Sequence, residues 1–262
     1  CYSADETLQA DGEKEPSDYK IGIKAVHVAG NPAGTTIGAS AFAGCQNLTK
    51  LTLGEGVTGL GDSALKDTRL EEITIPSTFE TGTAKNSPFT SGENSTLKKV
   101  TFADGIQVIP QYFLSNITTL TKIEIPASVQ KIGDHAFADC SNLTAVTFKE
   151  PADSKLTTID TSAFEGCSLM TLSKLPDGVT TINASAFKDC KKISLTDDLP
   201  TGLITIGNAA FENCTMLQID KLPAITALGM AAFKNCVNLP FLSVDTSNLA
   251  EINATAFEGC TG

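Results

Sequence analysis

The chain has 262 residues, 41% of them hydrophobic, enough to bury a substantial core. It contains no run of 18 apolar residues that could cross a bilayer as a helix. Thirty acidic residues against 19 basic ones give a formal net charge of -11, which argues against nucleic acid and anionic membrane surfaces as partners.

Residues 1–35 read as an acidic tether and capping segment. Within residues 1–20, Asp5, Glu6, Asp11, Glu13, Glu15 and Asp18 stand against only Lys14 and Lys20. In Ala25-Val26-His27-Val28, His27 reads as the polar face of a capping strand. From residue 36 a tag recurs: Ala-Phe-x-x-Cys, at Ala41-Phe42/Cys45, Ala136-Phe137/Cys140, Ala163-Phe164/Cys167 and Ala186-Phe187/Cys190. It returns at Ala210-Phe211/Cys214, Ala232-Phe233/Cys236 and Ala256-Phe257/Cys260. Weaker copies sit at Ala64-Leu65, Pro88-Phe89 and Tyr112-Phe113. The large apolar markers recur every 22 to 27 residues, about 24 on average, within the range of leucine-rich repeats.

One unit shows the physics. In Leu120-Thr-Lys-Ile123-Glu-Ile125-Pro126, Ile123 and Ile125 alternate with Lys122 and Glu124, the period of a half-buried strand. Pro126 has no amide hydrogen to donate and ends it. Val129 and Ile132 point inward again. Gly133, matched by Gly38, Gly61, Gly207 and Gly229 and by Asn183, Asn253 and Asp160, suits a tight left-handed corner. Phe137 and Cys140, three apart, then share one face of a short helical turn. A unit this small cannot bury its apolar edge alone, so neighbours must stack. The expected fold is an α/β solenoid, a right-handed superhelix of about ten repeats over residues 36–262, with one parallel β-strand and a short helical turn in each. Residues 77–119, 169–176 and 193–200 depart from the pattern and blur its register.

Residues able to carry chemistry have plainer readings. Thr68, Gly92 and Asn116 replace the repeat cysteine in other copies, as suits a small inward slot, so the seven repeat cysteines read as buried free thiols. No Cys-x-x-Cys pair or Cys/His cluster suggests a metal, and no motif suggests a cofactor. His135 occupies a corner slot that elsewhere holds Ser40, Ser162 or Ser185, which points to solvent rather than catalysis. No nucleophile has an oriented base beside it. Asn-x-Ser/Thr triplets such as Asn47-Leu-Thr49 recur because the repeat recurs.

The pattern Leu-x-x-Ile-x-Ile-Pro, then Val-x-x-Ile-Gly-x-x-Ala-Phe-x-x-Cys-x-x-Leu, resembles the BspA-like class of bacterial leucine-rich repeats over about residues 36–260. That resemblance implies an exported, non-enzymatic protein of a host-associated bacterium, in some members an adhesin for host matrix proteins or other cells. A mature bacterial lipoprotein begins at a lipid-bearing cysteine, so Cys1 before an acidic tether suggests lipidation and an outer-membrane surface location, with the bilayer touched only through that anchor.

Ligands of such solenoids usually take the concave sheet. Its outward positions are expected at Lys50, Thr52, Glu72, Thr74, Lys99, Thr101, Lys122, Glu124 and Thr147, with Ala145 small among them. Thr171, Ser194, Gln218, Asp220 and Ser243 continue the row less regularly. With no Trp and three Tyr in the chain, a weak or multivalent contact by a monomer fits better than an aromatic anchor. A protein or cell-surface ligand is the first expectation. A structural spacer presenting another domain, or a glycan-binding or glycan-active surface protein, are the alternatives.

Overall fold

A computed structural model describes residues 22–80, 87–89, 96–150, 152–197, 199–240 and 243–261. The chain winds into a parallel β-solenoid of about nine turns. The first strands between Lys50 and Phe148 have the predicted alternation. Leu51, Ile73, Val100, Ile123 and Val146 are buried, while Lys50, Lys99 and Lys122 beside them are exposed. Ala25–Val28, Lys50–Leu53, Glu72–Ile75 and Lys99–Phe102 form a four-stranded parallel sheet. Lys122–Ile125 pairs with Ala145–Phe148, and Lys221–Leu222 with Ser243–Val244. Between these pairs the row is irregular: Thr171 makes only an isolated bridge to Ala145.

Most turns hold a second strand, which the one-strand expectation missed. Val108–Ile109, Lys131–Ile132, Thr158–Ile159, Thr181–Ile182, Thr205–Ile206 and Ala227–Leu228 stack into a six-stranded parallel sheet. Near the start of the solenoid, Thr35–Ile37 pairs with Val57–Leu60. These strands are mostly two residues long, and two residues cannot display a period.

The expected helical turn is absent from the described residues, and its backbone shows why. From Gly133 to Cys140 the amides alternate in their use. Ala136, Ala138 and Cys140 donate three residues back, to Gly133, His135 and Phe137. His135, Phe137 and Asp139 donate to Thr161, Ala163 and Glu165 of the next turn. In a helix the amides beyond the first turn all bond within the segment, and here every second one, out to Asp139, is spent on stacking. His135 and Asp139 also take left-handed φ of 52° and 59°, which no right-handed helix contains. The segment is a chain of β-turns shared between neighbours.

The left-handed corner expected at the Gly133 position lies two residues later. Ser40, Ser63, Tyr112, His135, Ser162 and Ser185 all have φ between 52° and 58°, and none is glycine. Gly61, Gly133, Gly207 and Gly229 serve another need, close approach, which Gly38 does not share. A Cβ on Gly207 would lie 2.5 Å from the Ala184 nitrogen of the preceding turn, and on Gly229 it would lie 2.3 Å from the Asn208 nitrogen.

Inside the wall, Phe137, Phe164, Phe187, Phe211, Phe233 and Phe257 stack in one column. Successive centroids are 5.1–5.5 Å apart and the rings within 9° of parallel. A centroid spacing just above the 4.7–4.9 Å between strands gives offset stacking, a favourable ring geometry. Around the irregular early segment the column gives way to tilted contacts of Phe113 with Phe79, Phe89 and Phe102.

Candidate binding face

Strand pairing brings the predicted outward residues into columns. Lys50 aligns with Glu72 and Glu72 with Lys99. Lys122, which pairs with Ala145, holds the same repeat position on the next turn. Beside that column Thr52 aligns with Thr74, Thr74 with Thr101, and Glu124 with Thr147. Lys50, Lys99, Thr101, Lys122, Glu124 and Thr147 are exposed, and Thr52, Glu72 and Thr74 half-buried. His27 is exposed at the start of the threonine column, opposite Thr52. Of the later positions, Thr171, Gln218, Asp220 and Ser243 are exposed and Ser194 half-buried. Cys1 and the acidic tether lie outside the described residues.

Charge on this face is partly compensated. Lys50 Nζ is 3.6 Å from Glu72, and Lys98 Nζ is 3.3 Å from Glu71. At the rim Lys149 Nζ is 3.0 Å from Asp104; that hydrogen bond, reinforced by the carboxylate's charge, raises the ammonium above its usual pKa. Such exposed pairs are screened by solvent and add little stability.

From Cys140 to Cys236 the repeat cysteines are buried free thiols. Each thiol from Cys140 to Cys260 donates to a carbonyl of the preceding turn. Cys167, Cys190, Cys214, Cys236 and Cys260 reach Phe137, Phe164, Phe187, Phe211 and Phe233 at 3.0–3.1 Å, and Cys140 reaches Leu114. Burial pushes the Cys140 and Cys236 thiols up to about 12, and it pushes Cys167, Cys190 and Cys214 well above the usual thiol value. A protonated buried thiol is a poor nucleophile. A soluble thiol reagent at neutral pH should therefore leave Cys140, Cys167, Cys190 and Cys214 unlabelled until denaturant is added, as peptide mapping would show. Fast labelling of any of the four in the folded state would contradict this packing. Cys45 departs from the free-thiol expectation, because it is disulfide-bonded.

His135 sits at the corner and not in a catalytic arrangement. Its ring stacks on Tyr112, centroids 4.7 Å apart and 14° from parallel. His135 Nδ1 is 3.1 Å from Asp134 Oδ1, yet the two are not aligned for a hydrogen bond and neither atom has another partner. The contact becomes an ion pair only when the imidazole is protonated. Burial first, and the Asp134 carboxylate second, raise the Tyr112 phenol.

A buried-edge ion pair belongs to the scaffold. Lys131 Nζ is 2.6 Å from Asp160 Oδ2, and Asn183 donates to Asp160 Oδ1 at 2.8 Å. Burial alone would raise Asp160, but Lys131, the Thr161 amide and Asn183 together hold its carboxyl below the usual value. A depressed carboxyl contributes stability above its unfolded pKa, roughly 4, and loses that contribution as pH falls through the folded value. Acid titration followed by circular dichroism should thus show Asp160→Asn losing less stability between neutral and acid pH than the parent. An equal loss would mean that Asp160 is not held low.

The second sheet exposes a face that sequence reasoning did not propose. Its outward positions are Lys131, Thr158, Thr181, Thr205 and Ala227, flanked by Gln130, Thr157, Thr180, Ile204 and Thr226. The repeated Thr-Ile pair was the available signal. A recess of about 340 Å³ lies against Ser77–Glu80, Gln107 and Val108. Among the described residues, Glu80 is the one carboxylate lining it.

Comparison with known proteins agrees with this architecture. The model for the BspA type leucine rich repeat region matches residues 26–144, 85–194 and 150–262. Among solved structures, the chain is similar to a leucine-rich repeat protein from Eubacterium ventriosum, with 20% identity over 94% of this chain and 84% of that one and a TM-score of 0.43. It is similar to a leucine rich cell surface protein from Faecalibacterium prausnitzii, with 22% identity, 94% and 79% covered and a TM-score of 0.43. A leucine rich repeat protein of Treponema pallidum gives 21% identity, 84% and 79% covered and a TM-score of 0.43. No curated protein matches the chain. With the family model spanning residues 26–262, the chain belongs to the BspA type leucine-rich-repeat family.

Proposed function

We propose that this chain is a non-enzymatic binding module displayed at a bacterial cell surface, and that the exposed face of its first strands contacts a protein or cell-surface ligand. The observation that carries the reading is the pair of aligned outward columns, Lys50-Glu72-Lys99 and Thr52-Thr74-Thr101. Such a face offers many weak, regularly spaced contacts and no deep anchor, which suits multivalent adhesion. Family membership supports a role without catalysis and a location outside the cell. The test is equilibrium binding of the purified chain to immobilised host matrix proteins and glycans, with a variant lacking one internal repeat. Binding that is lost with the repeat supports the module, and silence across the panel favours a spacer.

A further inference from the structure

The chain has eight cysteines, and six of them, Cys140, Cys167, Cys190, Cys214, Cys236 and Cys260, are free thiols. Cys45 is disulfide-bonded. A disulfide needs a second sulfur, and the one cysteine left in the sequence is Cys1. Position in the solenoid explains why Cys45 differs from the other copies of its slot. Each later thiol faces the turn before it and donates to a carbonyl there, as Cys190 does to Phe164 and Cys214 to Phe187. Cys45 belongs to the first turn of the row. That turn donates forward, from Ser40, Phe42 and Gly44 to Asp62, Ala64 and Lys66. On its other side it is open among the described residues. A Cβ on Gly38 or Gly44 would meet nothing within 4 Å, whereas one on Gly61 would meet Ala39 of the turn before at 2.5 Å. Cys45 is therefore the repeat cysteine at the end of the row, where a solenoid needs a cap.

We propose that Cys45 is joined to Cys1, so that the bond ties the acidic N-terminal segment to the first turn and leaves Cys1 without a lipid. Cys1 lies outside the described residues and enters through the count of cysteines alone. The two modifications exclude each other, because a lipoprotein cysteine carries its glyceride on the same sulfur, as a thioether. The bond forms by thiol–disulfide exchange with a protein disulfide oxidant of the export compartment. One thiolate attacks a sulfur of the oxidant and gives a mixed disulfide, and the second thiolate displaces the oxidant's sulfur. One S–S bond forms and one breaks, and the two thiol protons and two electrons end on the oxidant as its dithiol. Disulfides persist in such oxidising surroundings, in keeping with a location outside the cell. The later thiols escape this chemistry, since burial keeps them protonated and exchange requires the thiolate. The inference is independent of which face binds a ligand.

The test is tryptic mapping of the full chain, isolated without reductant from the cells that export it and alkylated before digestion. Cleavage after Lys14, Lys24 and Lys50 puts Cys1 in peptide 1–14 and Cys45 in peptide 25–50. The expected result is one species with the summed mass of both peptides less two hydrogens, which reduction separates, and no acyl mass on peptide 1–14. An acylated peptide 1–14, an alkylated Cys45, or Cys45 linked to a peptide holding any of the six later cysteines overturns the proposal. Thermal melting gives a second check. A reductant should lower the melting temperature of the parent by roughly 5–10 °C, the effect of releasing a long closed loop, and leave that of Cys1→Ser unchanged. Equal shifts in both, or none in the parent, count against the bond.

Discussion

Phe187→Ala is expected to destabilise the chain by roughly 3–5 kcal/mol, the cost of deleting a large buried aromatic side chain from a packed core. Phe187 is fully buried, between Phe164 at 5.5 Å and Phe211 at 5.3 Å. Truncation would strip both neighbours of a stacking partner and leave a cavity in the middle of the column. The surrounding backbone is poorly placed to collapse into that gap. The Phe187 amide donates to Ala210 of the next turn, and its carbonyl accepts from both Cys190 N and Cys214 Sγ. Urea unfolding should show a lower midpoint with little change in slope. A loss below about 1 kcal/mol would mean that the column is not a main source of stability.

Gly207→Ala should be nearly as costly, about 3 kcal/mol, at the upper end of what overpacking costs. The added Cβ would lie 2.5 Å from Ala184 N and 2.6 Å from the Asn183 carbonyl carbon, and backbone atoms cannot rotate out of the way as a side-chain tip can. Relief requires the two turns to separate, which strains the bond from Gly207 N to Ile182 O at 2.8 Å. Gly38→Ala, in the equivalent slot of the first repeat, meets nothing within 4 Å and should stay within about 0.5 kcal/mol of the parent. The contrast separates close approach from backbone conformation, since neither glycine has positive φ. Equal effects at both positions would refute the account.

Much of this fold was legible because stacking repeats its demands. The phenylalanine column follows from the period alone, and Lys-Ile-Glu-Ile gave the outward face of a first strand correctly. The turn conformation was harder to read. Phe137 and Cys140, three apart, suit a helical turn, and only the diversion of alternate amides to the next turn rules one out. One signal was present. The residue before each repeat cysteine, or before Thr68, is Gly44, Asp67, Asp139, Gly166, Asp189, Asn213, Asn235 or Gly259, every one with positive φ. Those are the residue types that tolerate it. The earlier left-handed corner gave no such hint, because His135, Tyr112 and Ala209 are imposed there by stacking rather than preferred.

The binding face was legible as a row of residues, but its electrostatics were not. Sequence shows Lys50, Lys99 and Lys122 as three similar cations. Pairing sets Glu72 between Lys50 and Lys99, and the ion pair forms with Lys50. Which lysines remain available depends on the neighbouring turn, about 24 residues away, so no local pattern reports it.

The most direct test of the central claim is binding by Lys50/Lys99/Lys122→Glu, with an equal charge reversal on the outer wall at Lys66, Lys188 and Lys234 as control. The ligand is whichever matrix protein or glycan the parent captures, and circular dichroism confirms that both variants fold. The account predicts that the first variant loses binding and the second keeps it. Equal binding by both variants would contradict the assignment of the first-strand face as the ligand surface.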